Sequence, residues 1–294
     1  MTTPITILDG GMGRELKRMG APFRQPEWSA LALLEAPEYV VRAHAAFVRA
    51  GAEVITTNSY AVVPFHLGEA RFRTDGPRLV ELAGRLARQA AASPATRVAG
   101  SLPPVFGSYR PDLFDPARAQ DLLGVLVAGL RPHVDQWQAE TLSCLAEARA
   151  VRTALDGDPR PLWVSFTLDD EAPDPARPKL RSGETVAEAA RVVRELGAEA
   201  LLFNCSQPEV MGAALDAARA VVGTSLRLGV YANAFPPQSK DATANADLDE
   251  VRADLTPAGY LDFARNWVAR GASLVGGCCG IGPEHIAALR EALR

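Results

Sequence analysis

β-rich runs of three to five residues recur along the chain, and longer amphipathic stretches separate them. The runs are Ile5-Thr6-Ile7-Leu8, Val54-Ile55-Thr56-Thr57, Arg97-Val98-Ala99-Gly100, Glu140-Thr141-Leu142, Leu162-Trp163-Val164-Ser165-Phe166, Ala200-Leu201-Leu202-Phe203, Leu228-Gly229-Val230-Tyr231 and Ser273-Leu274-Val275. The stretches between them are rich in Ala, Leu, Arg and Glu and place apolar residues at helical spacing, as in Val186 to Leu196 and Pro257 to Arg270. Strand followed by helix predicts parallel strands joined by crossover helices. Eight such units predict closure into a (β/α)8 TIM barrel, a single domain over residues 1–294.

A faint internal repeat agrees with this. Ala50-Gly51-Ala52-Glu53, Leu196-Gly197-Ala198-Glu199 and Arg270-Gly271-Ala272-Ser273 each place a Gly-Ala step before a strand, and the glycine is expected to cap the preceding helix. These helix-to-strand links are short. Several strand-to-helix links read as long loops, at Tyr60 to Gly76, Pro103 to Pro116, Asp169 to Glu184 and Phe235 to Thr256. In a barrel they share the face at the strand C-termini, where the chemistry sits. An open doubly wound sheet is the competing architecture, but Gly10-Gly11-Met12-Gly13 lacks the G-x-G-x-x-G spacing of its phosphate-binding turn.

With 48% apolar and 22% charged residues among 294, the chain can bury a large core. A formal charge of −4 gives no basic surface for nucleic acid, so small-molecule substrates are the expected partners. The N-terminus shows no basic segment followed by an apolar one, and no run is long enough to span a bilayer. The expected location is therefore the cytoplasm, where thiols stay reduced and cysteines serve metals or catalysis more often than disulfide frameworks.

There are four cysteines, and two are adjacent, in Val275-Gly276-Gly277-Cys278-Cys279-Gly280. Neighbouring residues of a regular strand point to opposite faces, so both thiolates reach one metal only where the backbone departs from regular geometry, as flanking glycines permit. Cys205 ends the sixth run, and Cys278 and Cys279 follow the eighth. Three thiolates with one open position make a catalytic zinc site, with Cys205, Cys278 and Cys279 as ligands of a Zn2+ ion. A vicinal redox disulfide, or simple burial of small apolar side chains, is the alternative. Cys144 has no thiol neighbour in sequence and reads as a packing residue. His44, His66, His133 and His285 lack ligand-like spacing and are assigned no role.

These residues resemble the homocysteine S-methyltransferases, whose signature is Asn-Cys at one strand end and Gly-Gly-Cys-Cys-Gly near the C-terminus. The likeness runs through Leu8-Asp9-Gly10-Gly11-Met12-Gly13-Arg14-Glu15-Leu16, Trp28-Ser29-Ala30, Arg49-Ala50-Gly51-Ala52, Thr57-Asn58-Ser59-Tyr60, Glu140-Thr141 and Ser165-Phe166-Thr167. It implies a barrel, a zinc ion on three cysteines, and methyl transfer from a sulfonium, betaine or folate donor to homocysteine sulfur, giving methionine. By the same resemblance Asp9 and Glu140 hold the ammonium group of homocysteine, while the alternative readings make them a turn cap and a solvated charge. Backbone amides from Gly10 and Gly11 on to Gly13, at a helix start, are expected to receive its carboxylate. Asn204 is expected to orient the ligand-bearing loop, and Asn233 to reach the metal's open position when substrate is absent. Tyr60, Phe106 and Tyr109 either face a cationic donor or pack their loops.

Only one short helix follows Cys279. The chain thus lacks the C-terminal extension of betaine-using relatives and the folate and cobalamin modules of the large methionine synthases, which leaves a free sulfonium, S-methylmethionine or S-adenosylmethionine, as the expected donor. By the resemblance, Pro103-Pro104-Val105-Phe106 stands where sulfonium-using relatives carry a Gly-Pro-Tyr-Gly type loop, and Phe235-Pro236-Pro237 opens an unusual polar segment. A methyltransferase for a related thiol, a zinc or thiol sensor without turnover, and a barrel hydrolase using Asp9 and Glu140 as acid and base are the competing functions.

Overall fold

The computed structural model describes residues 4–91, 93, 95–237 and 250–294. Eight parallel strands alternate with helices: β1 (Thr6–Ile7), β2 (Val54–Thr56), β3 (Arg97–Leu102), β4 (Gln136–Leu142), β5 (Leu162–Phe166), β6 (Ala200–Asn204), β7 (Arg227–Tyr231) and β8 (Ala272–Val275). The helices are α1 (Met12–Arg18), α2 (Ala30–Glu35), α3 (Pro37–Arg49), α4 (Pro64–Leu67), α5 (Glu69–Ala90), α6 (Pro116–Leu130), α7 (Leu145–Ala154), α8 (Val186–Glu195), α9 (Pro208–Val222), α10 (Pro257–Ala269) and α11 (Pro283–Leu293). The sheet runs from β2 in chain order to β8, and β1 pairs with β8 through Thr6–Leu274 and Ile7–Val275. The ring closes between β1 and β2, where Leu8 bridges Val54 and the amides of Glu53 and Asp9 reach Ile7 O and Val54 O at 2.8 and 3.1 Å. The chain is a (β/α)8 barrel. Among the described residues no helix is long and apolar enough to cross a membrane.

Alternation along the strands builds two apolar layers. Ile7, Ile55, Val98, Val164, Leu201, Val230 and Val275 face outward and pack under the helices, whereas Leu8, Val54, Ala99, Trp163, Leu202 and Leu274 form a separate cluster inside the barrel. The helix-to-strand links turn at Gly51, Gly197 and Gly271, with φ of +100°, +67° and +94°, just past the last helical residue. A side chain there would strain the backbone.

Two expectations need correction. The fourth strand starts at Gln136, four residues before the run read from sequence. Its first half alternates Gln136, Trp137 and Gln138, and the barrel interior accepts the amide of Gln138, which donates to the Tyr231 hydroxyl at 3.1 Å. Gln138 is thereby satisfied on a strand face without an apolar signature, whereas both side-chain amide atoms of Gln136 are buried without a partner among the described residues. The segment from Tyr60 to Gly76 is not one long loop. It contains α4, and α5 starts at Glu69 and runs through Gly76 and Pro77. Proline inside a helix costs about 3 kcal/mol. Burial of Phe72, Leu79, Val80 and Ala83 against α3 and α6 outweighs it. Of the segment from Phe235 to Thr256, residues 238–249 lie outside the described residues.

Candidate active site

Cys205 immediately follows β6, and Cys278 and Cys279 follow β8 after two glycines. β6 and β8 flank β7, so residues 73 apart in sequence meet at the barrel mouth. The three sulfurs lie within 4.8 Å of one another. Cys205 and Cys278 have Cα atoms 5.7 Å apart and their sulfurs are in direct contact, the pairing of a disulfide, and it joins the two strand ends rather than the adjacent pair.

The turn carrying Cys278 and Cys279 is stitched to both neighbours. Gly276 N donates to Val230 O at 3.0 Å, Cys278 N to Ala232 O at 2.8 Å, and Gly277 N to Asp9 O at 3.0 Å, while Ala234 N donates to Cys279 O at 2.8 Å. The glycines make this approach possible. A Cβ on Gly276 would stand 2.5 Å from Leu8 Cβ and 2.8 Å from Asp9 O, and one on Gly277 would overlap the Ile281 side chain.

A tetrahedral zinc with ~2.3 Å bonds to sulfur separates its thiolates by ~3.8 Å. Once the Cys205–Cys278 pair is reduced, three sulfurs within 4.8 Å of one another make a soft donor set that fits that ion.

The cysteines line one wall of a cavity of about 140 Å³ whose other walls include Asp9, Gly10, Gly11, Trp28, Thr56, Tyr60, Tyr109, Glu140, Tyr231 and Phe235. Asp9 accepts the Thr56 amide at 2.7 Å and the Thr56 hydroxyl at 3.4 Å. Burial raises its carboxyl to about 8 against these bonds, and the negative charge of Glu140 adds to the rise. Glu140 accepts the Ser101 hydroxyl, and burial raises it to about 7 against its bonds to Ser101 and Tyr231. Among the described residues no lysine, arginine or histidine forms an ion pair with either carboxyl. Two buried acids, neither ion-paired among the described residues, thus share a cavity with three thiols and Arg14.

The other singled-out residues divide clearly. Gly10 and Gly11 both line the cavity, but the Gly11 amide donates to Ile281 O at 2.9 Å and is not available to a ligand carboxylate. Asn204 does not line the cavity. Its carbonyl oxygen accepts Thr141 N at 3.0 Å and the Ser165 hydroxyl at 2.7 Å, and its amide donates to Thr141 Oγ1 at 2.8 Å, so it ties β4, β5 and β6 together. Asn233, which is 1% exposed, accepts Phe235 N at 3.2 Å, and its side-chain nitrogen is buried without a hydrogen-bond partner. Tyr60 and Tyr109 line the cavity, whereas Phe106 packs edge-on against Phe114. Cys144 is buried at the start of α7, and burial raises its thiol to about 12, which leaves it unreactive.

Backbone strain marks the same place. Five non-glycine residues among those described have clearly positive φ: Trp28, Tyr109, Thr141, Asp156 and Cys205. All but Asp156 line the cavity. Trp28 and Tyr231, which sequence reasoning left without a role, present aromatic rings to it. Tyr231 ends a recognisable strand on the interior face, and that position was the available signal.

A profile of the homocysteine S-methyltransferase family matches residues 6–293. The homocysteine S-methyltransferase of Escherichia coli K12 is 32% identical over 310 residues, covering 97% of this chain and 94% of the relative. The betaine-homocysteine S-methyltransferase of Drosophila melanogaster is 30% identical, covering 99% of this chain and 94% of the relative. The length of the chain therefore does not separate a betaine donor from a sulfonium, contrary to the expectation drawn from a missing extension. Among solved structures, the metallated form of the homocysteine methyltransferase MmuM from Escherichia coli superposes with a TM-score of 0.78 at 29% identity, covering 98% of this chain and 96% of that one.

Proposed function

Because the chain belongs to the homocysteine S-methyltransferase family, we propose that it moves a methyl group from an onium donor, a sulfonium such as S-methylmethionine or S-adenosylmethionine, to the sulfur of homocysteine at a zinc centre on Cys205, Cys278 and Cys279. The observation that carries this reading is the pair of buried carboxyls, Asp9 and Glu140, neither ion-paired among the described residues, in the same cavity as three clustered thiols. That arrangement suits a ligand with an ammonium group at one end and a thiolate at the other.

When bound, zinc supplies a positive charge that keeps the acceptor thiol deprotonated at neutral pH, where a free thiol of pKa ~8.5 is mostly protonated. Asp9 and Glu140 take the acceptor's ammonium, which offsets the burial that raises both carboxyls. Gly10 lines the same end of the site, where a Cβ would overlap Ile281 O and the Phe47 ring, so glycine is what lets this backbone lie beside the acceptor's carboxylate. Asn233, just past β7, keeps a buried amide nitrogen without a partner among the described residues but does not line the cavity, so it is given no role at the metal.

Trp28 and Tyr60 line the donor side with aromatic rings that favour a cation over the neutral product, while Tyr109 and Phe235, which line it too, already stack on the guanidinium groups of Arg181 and Arg14. In the transfer, the acceptor's sulfur forms a bond to the methyl carbon while the onium–carbon bond breaks, its electron pair staying on the departing heteroatom. The cavity's main task is to hold sulfur and carbon in line.

The test uses reduced full-length protein reconstituted with Zn2+. Methionine is measured by mass spectrometry with homocysteine and each of S-methylmethionine, S-adenosylmethionine and betaine. Turnover with a sulfonium that disappears on chelation and in Cys278→Ser is expected. Turnover with betaine alone would replace the donor assignment, and zinc at a stoichiometry near one without turnover from any donor would turn the reading toward a sensor.

A further inference from the structure

Cys205 holds φ +49°, a conformation L-residues rarely adopt, so its neighbours must fix it there. The Tyr109 hydroxyl donates to Cys205 O at 3.4 Å. Two residues on, Gln207 N donates to Asp170 Oδ2 at 3.1 Å, and the Gln207 side chain donates to Asp170 O at 3.3 Å. Both anchors meet at Arg181. Its guanidinium donates to Asp170 Oδ1 at 2.9 Å and lies 4.5 Å from the centre of the Tyr109 ring. The side chains of Arg181 and Asp170 are 4% and 0% exposed. One buried cation therefore joins the β3–α6 loop, the β5–α8 loop and the turn that carries Cys205.

A buried ion pair is a poor source of stability, because desolvation of two charges cancels most of their attraction. Its value lies in direction, since a planar guanidinium fixes both a carboxylate and an aromatic face. We propose that Asp170 and Arg181 are positioning residues for the metal ligand Cys205: the pair holds Tyr109 and Gln207 in register, and these hold Cys205 in its left-handed conformation with the sulfur toward Cys278 and Cys279. The proposal rests on the zinc reading above.

The experiment measures Zn2+ affinity of reduced full-length protein by competition with a chromophoric chelator, and the melting temperature of the metal-free protein, in parent, D170N, R181M, R181K, Y109F and D158N. Asp158 forms a comparable ion pair with Arg160 at 2.7 Å, and both belong to the loop before β5, at the opposite end of that strand from Asp170. D170N and R181M should weaken zinc ~10-fold or more, as loss of a partner that orients a ligand does. R181K, which keeps the charge without the planar face, should fall between them and the parent, and Y109F should weaken zinc measurably without lowering the melting temperature. D158N should lower the melting temperature and leave zinc affinity unchanged.

Zinc affinity within twofold of the parent in D170N and R181M overturns the proposal, as does an equal loss in D158N. Should D170N and R181M fail to fold, Y109F decides, and parental affinity in that variant overturns it. A parent that binds no zinc removes the metal reading itself, whereas a tight-binding parent with unaffected variants removes only the positioning role.

Discussion

The carbonyl oxygen of Asp9 accepts the amide of Gly277 at 3.0 Å. Asp9, to whose carboxyl the proposed function gives the acceptor's ammonium, is thus bonded through its backbone to the turn that bears Cys278 and Cys279. On that proposal one hydrogen bond across the β1–β8 seam spaces the two ends of the acceptor site.

Asp9→Asn keeps an oxygen that accepts the Thr56 amide and removes the charge. A charged hydrogen bond contributes about 1.5–3 kcal/mol, so the KM for homocysteine should rise ~10-fold or more while bound zinc stays at the parental level. Steady-state kinetics with metal analysis checks this. Lost zinc with an unchanged KM would instead confine Asp9 to supporting the turn.

The pH dependence follows from the same two acids. A carboxyl raised by folding adds stability that is full below its unfolded pKa, about 4, and is lost as pH climbs through the folded value. Those values are about 7 for Glu140 and about 8 for Asp9, so ligand-free protein should lose stability across this window. Ammonium binding has the opposite dependence and should strengthen as the acids ionise. Melting curves from pH 5 to 8 should slope downward in the parent and less steeply in Glu140→Gln, and the rise of kcat/KM for homocysteine with pH should shrink in that variant.

Gly277→Ala inserts a methyl group against Ile281. Overpacking of this kind costs about 1–3 kcal/mol, and here the displaced segment carries two metal ligands. Both urea stability and zinc affinity should fall, and Ile281→Val in the same chain should restore neither, because valine keeps the Cβ, Cγ1 and Cγ2 atoms that the new methyl meets. An alanine variant with parental affinity would mean that the turn tolerates more movement than its stitching suggests.

Asn204→Ala should act on stability. Removing the amide leaves Thr141 N and the Ser165 hydroxyl without their bond inside the barrel wall. Unsatisfied buried groups cost about 1–3 kcal/mol each. Urea denaturation should show that loss, with the KM of the folded fraction little changed.

Much of the barrel was legible because β-rich runs and glycine caps repeat with a constant order, and because two adjacent cysteines among glycines have few structural uses. The fourth strand was clipped because Gln136 and Gln138 break an apolar pattern that a barrel interior does not require. Gly76 and Pro77 read as a loop because local propensity cannot register the burial that carries α5 past them. The engagement of the Gly11 amide by Ile281 and of Asn204 by Thr141 and Ser165 involves partners remote in sequence, so no local pattern announces it. Cys205, with its left-handed backbone, likewise contacts Tyr109 directly and Asp170 and Arg181 through Gln207, partners that come from other loops.

The location of the thiols on β6 and β8 also orders events during synthesis. Cys205 leaves the ribosome 73 residues before Cys278, and β8 must seat itself between β7 and β1 before all three sulfurs can meet. On the zinc reading proposed above, capture by all three thiolates waits until β8 has been made and the seam has shut, so a molecule loaded on all three is one whose eighth strand has found the first.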